Sequence, residues 1–234
     1  MPVNEKTAIL LAVFGFLLFV TFSLICSSES FAQSPSPKAP VSDPKPTHQD
    51  TETLECMVPG HAALEKGDLN AAKRVFEDCA KKFPASSFAR YWLGMVYFFA
   101  HDADKATSEF KEVVRLDPNN PLGLAMLGRM YSFDQTKLNL AKELLERSLA
   151  QKPDAEDAHF DLARVYAQLG DYEKSMKEFG IILEGESKFA LYRTELAKVL
   201  VSLGQKDEAK KSLDKALALD PQFEPAKKLL DEIK

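Results

Sequence analysis

Residues 87–120 read SFARYWLGMVYFFAHDADKATSEFKEVVRLDPNN. In this stretch Leu93-Gly94 and Tyr97 are followed by Ala106, Phe110 and Pro118, and the same order of sizes returns along the chain. A small residue stands at Ala72, Ala106, Ala141, Ser175 and Ala209, at steps of 34, 35, 34 and 34. Four places after each comes a bulky apolar residue: Phe76, Phe110, Leu145, Phe179 and Leu213. A period of that length marks stacked helix–turn–helix units, each too small to bury its own apolar face.

Set in register, the chain gives five units, 53–86, 87–120, 121–155, 156–189 and 190–223, and a tail, 224–234. Each marked position has a physical reason. The second residue of the Leu-Gly pair and the small residue opening the second helix lie where two antiparallel helices approach closely, so a larger side chain overpacks the contact. Gly67, Gly170 and Gly204 close first helices, where glycine adopts a left-handed cap at little cost. Asp68 and Asp171 follow as N-caps of the second helices. Leu-Asp-Pro at 116–118 and 219–221 ends the second helix, because proline cannot extend the hydrogen-bond ladder. The tail PAKKLLDEIK reads as an amphipathic capping helix.

The departures are local. The third unit has one extra residue in its turn, SFDQTKLN, and the fourth has Ser187 where the exit proline is usual. In the first unit Pro59 holds the leucine place and predicts a truncated leading helix starting near Pro59, a favourable first-turn position. The pattern resembles the tetratricopeptide repeat over residues 53–234. That resemblance implies an all-α, right-handed superhelical solenoid of five units plus a C-terminal capping helix. A shorter stretch, KKFPASSFARYWLGMVY, looks like repeats of exported bacterial envelope proteins.

The first 32 residues are of another kind. Lys6 precedes 18 uncharged residues, Ala8 to Ile25, and Ser30-Phe31-Ala32 matches a small-x-small cleavage site. Residues 1–32 are therefore either a signal peptide, leaving a mature start at Gln33, or a retained anchor just long enough to span a bilayer. Both readings put the repeats outside the inner membrane, in the periplasm, secreted, or tethered there, with membrane contact through the N-terminal segment alone. Cys26 follows Ser23-Leu24-Ile25, a poor lipidation motif. Residues 33–52 contain five prolines and no aromatic residue, the composition of a disordered spacer or a leftover tail. Cys56 lies at the entrance to the leading helix of unit one and Cys79 in its second helix. They either pair as a disulfide, in an oxidising compartment, or remain two buried thiols.

No phosphate loop, dinucleotide fingerprint, H-E-x-x-H, G-x-S-x-G or haem-attachment motif is present. His48, His61, His101 and His159 are scattered, and helical ones such as His159 read as surface or groove residues. The cysteines lack ligating histidines, so no metal and no cofactor is implied. Lys and Arg number 30 against 35 acidic residues, a net charge of −5, which gives no source of attraction to nucleic acid. These observations point away from an enzyme and towards a protein-binding scaffold.

By the resemblance, leading helices line a concave groove and the second, fifth, sixth, ninth, twelfth and thirteenth places of each unit face the ligand. In unit two these are Phe88, Tyr91, Trp92, Met95, Phe98 and Phe99, with Trp92 and Phe99 the leading contacts. Unit three adds Met126, Arg129 and Phe133, unit four Phe160 and Arg164, and unit five Lys198. The groove grades from aromatic to mixed charge. Arg129, Arg164 and Lys198 share the ninth place as a basic ladder, with Asp161 and Glu195 near enough to neutralise it. The partner is a peptide or protein held there, or a second copy of the chain burying the aromatic end.

Overall fold

The computed structural model describes residues 48–184 and 189–233. The N-terminal segment 1–32, most of the spacer and the exit turn at Ser187 lie outside the described residues. Among the described residues are eleven α-helices and one 3-10 turn, with no strand. Unit one is α1 (His48–Glu65) and α2 (Leu69–Lys82), unit two α3 (Ser87–Phe99) and α4 (Ala103–Leu116), unit three α5 (Pro121–Tyr131) and α6 (Leu138–Gln151). Unit four is α7 (Glu156–Gln168) and α8 (Tyr172–Glu184), unit five α9 (Ala190–Ser202) and α10 (Lys206–Leu219), and α11 (Glu224–Glu232) closes the array. Each leading helix packs on its own second helix and on the second helix of the unit before it, the contact pattern of a solenoid. None of the described helices is long and apolar enough to cross a membrane.

The periodic residues form the spine of the core. Phe76, Phe110, Leu145, Phe179 and Leu213 are fully buried, as are Ala72, Ala106, Ala141, Ser175 and Ala209. A side-chain carbon added at Gly94 would come within 2.7 Å of Phe110 Cε1, so the close approach read from the sequence is real. Side-chain caps begin several helices: Asp68 accepts from Ala71 N at 2.9 Å, Ser86 from Ala89 N at 3.2 Å and Asn120 from Gly123 N at 2.9 Å. Asp171 accepts from Lys174 N at 3.3 Å. The leading helices of units four and five, α7 and α9, have no side-chain cap.

Unit one departs from its sequence reading. Its leading helix starts at His48, inside the expected spacer, and runs through Pro59 for 18 residues. An interior proline removes one helical hydrogen bond and costs about 3 kcal/mol. The helix continues because its flanks are held: Thr53 and Met57 are buried before Pro59 and Ala63 after it. Cys56, a helical turn before Pro59 rather than at the helix entrance, is bridged to Cys79 with the Cα atoms 5.9 Å apart. The cross-link spans 23 residues, and constraint of the unfolded chain by a loop of that size stabilises by about 3 kcal/mol.

Two half-buried polar links repeat at equivalent places of units two and four. Arg90 Nη1 donates to Glu109 Oε2 at 3.0 Å, and one period pair later His159 Nδ1 lies 2.6 Å from Glu178 Oε2. His159 Nε2 is 2.9 Å from the Pro153 carbonyl, so this histidine is a buried strut rather than a groove residue. The hydroxyls of Tyr97 and Tyr166 donate to Glu77 and Glu146 at 2.8 and 2.7 Å, tying each leading helix to the unit before it. Burial and the Glu77 bond push the Tyr97 phenol up to about 12.

Candidate functional site

The rings of unit two divide into two groups. Trp92 is the centre of an aromatic cluster: its ring lies 4.3 Å from that of His61 in a T-shaped contact, 5.6 Å from Tyr91, 6.1 Å from Phe76 and 6.4 Å from Phe88. Phe88, Tyr91, Trp92, Met95 and Phe98 are half-buried and pack against the core shared by units one to three. Trp92 Nε1 is itself buried with no hydrogen-bond partner. The covering element is α1, whose His61 is half-buried against Trp92, and that burial lowers its pKa despite the nearby Glu65. Trp92 is therefore largely a packing residue, while Phe99, one helical end away, is 46% exposed.

Phe98 and Phe99 come together with Phe133, which is 63% exposed, around a cavity of about 900 Å³. It opens at the turn edge of units two and three, where the ends of α3 and α5 meet the first half of α4. Met130 and Tyr131 form part of its wall. His101, Asp104, Thr107, Ser108 and Lys111, from a turn and a second helix, line it as well, and groove places on leading helices alone miss them. Two signals in the sequence mark this place. One is the extra residue of unit three, which forms a 3-10 turn at Gln135–Lys137 and carries Lys137 to the cavity. The other is His101, which stands one 34-residue step after Gly67, where units one, four and five use glycine. Gly67, Gly170 and Gly204 have φ of 73°, 80° and 75°, and His101 adopts φ 59° without glycine's freedom.

The charged half of the groove is internally paired. Arg129 Nε donates to Asp161 Oδ2 at 2.6 Å, with Asp161 only 2% exposed. Burial pushes the Asp161 carboxyl up, opposed by Arg129. Burial also works against the Arg129 charge, but Asp161 outweighs it and holds the guanidinium above its ordinary value. Arg164 Nη1 is 4.0 Å from the same carboxylate, so two guanidinium groups share one acceptor. Met126 is buried beside Arg129, and Phe160 is buried under Tyr192, ring centres 4.3 Å apart. Tyr192 donates to Asp157 at 3.1 Å, and burial with Asp157 raises its pKa. Lys198 Nζ is 2.6 Å from Glu195. Arg164, Glu195 and Lys198 line a second cavity of about 330 Å³, with Gln168, Tyr172 and Ser202. The ladder thus exists as three cations at one place of successive units, with Arg129 and Arg164 sharing Asp161 and Lys198 on Glu195.

Arg164 lines the second cavity and reaches over a wall residue of the first. Its guanidinium lies 6.0 Å over the Phe133 ring and 5.8 Å over the Phe160 ring. Gln135 Nε2 donates to Gln168 Oε1 at 3.2 Å across the same junction. The result is a track from exposed rings to a guanidinium and on to a recess of mixed lining. Among the described residues no group of three His, Cys, Asp or Glu is placed to hold a metal ion.

The tetratricopeptide repeat profile matches residues 63–130 and 132–194, more than half of the chain, and a second profile of that repeat matches 191–223. Anaphase-promoting complex subunit CDC16 of Saccharomyces cerevisiae is 25% identical over 177 residues, which cover 73% of this chain and 21% of that protein. The chain thus spans about a fifth of that relative. A thermophilic tetratricopeptide-repeat protein of Thermus thermophilus superposes with a TM-score of 0.61 at 22% identity, over 77% of this chain and 98% of that one. YrrB, a tetratricopeptide-repeat protein with an unusual peptide-binding site, superposes at 0.61 and 17% identity, over 79% of this chain and 98% of its own. Proteins of this fold are interaction and scaffolding modules rather than catalysts. By the profile match, the spacing and the stacked helix pairs, this chain belongs to the tetratricopeptide-repeat family.

Proposed function

We propose that this protein is a non-enzymatic adaptor of a bacterial cell envelope, which holds a segment of a partner protein along the face formed by its leading helices. The observation that carries the reading is the cavity of about 900 Å³ bordered by the exposed rings of Phe99 and Phe133. Large rings left in water beside a concavity are the usual mark of an interface, and aromatic and arginine side chains dominate binding energy where they meet a partner. The peptide-binding site of YrrB and the place of CDC16 in a multisubunit complex agree with this use of the fold.

Export supports the envelope setting. It rests on the uncharged run Ala8 to Ile25, on Ser30-Phe31-Ala32, and on the Cys56–Cys79 bridge, since disulfides persist in oxidising compartments. Intact mass of the native chain tests it: a species beginning at Gln33 means a cleaved signal, and the full chain in the membrane fraction means an anchor. A full-length chain in the cytosol contradicts export in either form. Site-specific photo-crosslinking from position 99 tests the adaptor reading, with position 210 on α10 as the comparison. Adducts from 99 to another protein support it, and adducts confined to 210 contradict it. Self-association through Phe99 and Phe133 is the second reading, favoured by the exposure of both rings. Sedimentation of the full chain in mild detergent separates the two, because a monomer at every concentration excludes it.

A further inference from the structure

We infer that the track from the Phe99–Phe133 cavity to Arg164 is built for an acidic peptide segment, with one large apolar side chain seated on the rings and carboxylates on Arg164 and Lys111. The inference rests on the adaptor reading and adds the chemistry of the partner.

Charge decides the class. The Asp161 carboxylate is bonded to Arg129 at 2.6 Å and lies 4.0 Å from Arg164, leaving Arg164 the poorer-served of two cations around one buried anion. Arg164 is nevertheless held in place, between the rings of Phe133 and Phe160. Its orientation is thus set before a ligand arrives, which lowers the ordering cost of binding. On the other side of the cavity Lys111 has no carboxylate partner among the described residues, and its ammonium lies 6.0 Å from the centre of the Tyr131 ring. Lys137, also in the wall, is matched by Asp134 at 2.6 Å. Asp104 is the opposing charge in the lining, seven residues and about 10 Å along α4 from Lys111. It sits at the His101 end of the cavity, so a ligand carboxylate is directed away from it. The open positions are thus two cations flanking exposed rings. A basic segment would be repelled by Lys111 and by the half-served Arg164, and a purely apolar one would leave Lys111 without a counter-charge and Arg164 with only its share of Asp161.

The test uses the full chain in mild detergent and fluorescence anisotropy of three labelled pentapeptides. Each has a central phenylalanine, flanked on both sides by two aspartates, two serines or two lysines. The acidic probe is expected to bind about tenfold more tightly than the serine probe, and the lysine probe more weakly still. Lys111→Glu, at an exposed site, should weaken the acidic probe about tenfold and leave the serine probe unchanged, with Arg164→Gln acting in the same direction. Phe133→Ser should weaken both. Equal binding of the three probes, or indifference of the acidic probe to Lys111→Glu and Arg164→Gln, overturns the acidic class. If no probe binds while position 99 still crosslinks to a partner, the acidic class falls and the adaptor reading stands. If position 99 also fails to crosslink, both fall.

Discussion

Units one to three and units four to five carry the same repeat, yet they use their side chains differently. In the first half one large core cluster runs from Met57 on α1 to Leu144 on α6, and the rings at groove places 88 to 98 are drawn into it, while Ala141 and Leu145 of α6 pack with unit four. In the second half the core is divided into smaller clusters, leading helices begin without side-chain caps, and groove places carry charges that pair with each other, as Lys198 with Glu195, or reach back to unit three, as Asp161 to Arg129. A ring at a groove place is therefore a ligand contact only where no neighbour covers it. Here α1 packs on Trp92, whereas Phe133 stays largely exposed with the Arg164 guanidinium over its ring.

The largest expected effect comes from the core the halves share in kind. Phe110→Ala empties a fully buried place and should cost about 3–5 kcal/mol in chemical denaturation. Phe133→Ser, at 63% exposure, should stay within about 0.5 kcal/mol. Breaking the pair that joins the two halves by Asp161→Ala should cost about 3–5 kcal/mol, because it leaves Arg129 partly buried without its acceptor. An effect under 1 kcal/mol would mean that water serves Arg129 as well as Asp161 does.

Removing the bridge with Cys56→Ser should lower stability by about 3 kcal/mol. Hydrogen exchange should localise the loss to α1 and α2 and leave α10 unchanged, since repeats communicate through nearest neighbours. Uniform deprotection of the whole array would contradict that locality.

The smallest effect is one of pH. Burial depresses the pKa of His61 in the fold, so its contribution is complete above the ordinary value of 6.5 and is lost as pH falls through the lower folded value. Trp92 is the sole tryptophan, so its fluorescence reports this contact directly. Acidification from pH 7 should loosen the cluster, and His61→Phe should flatten that response. At the alkaline end the raised Tyr97 phenol has the opposite sign. Its contribution is complete below pH 10 and is lost as pH rises through about 12.

The array itself was readable in the sequence because its period forces one residue size at one place. Gly94 against Phe110, the Asp68 cap and the left-handed Gly67 are consequences of geometry that every unit shares. The candidate site was readable only in part. Phe99 and Phe133 followed from their places, but the packing of Trp92 depended on His61 and Phe76 of unit one meeting its ring, which the repeat places do not specify. Cavity residues on α4 were missed because they arise from the 3-10 turn of unit three and the strained His101, departures from the repeat rather than features of it. His159 was missed as a strut because its partners, Glu178 and the Pro153 carbonyl, lie on a different helix and in a turn.

The most direct measurement is a paired photo-crosslinking experiment in intact cells, with the reactive side chain placed at position 92 in one strain and at 133 in another. With Trp92 packed beneath α1 and Phe133 open on the track, adducts to a partner should form from 133 and be nearly absent from 92. Strong adducts from 92 with none from 133 would contradict this assignment, and would return the binding surface to the centre of the aromatic cluster.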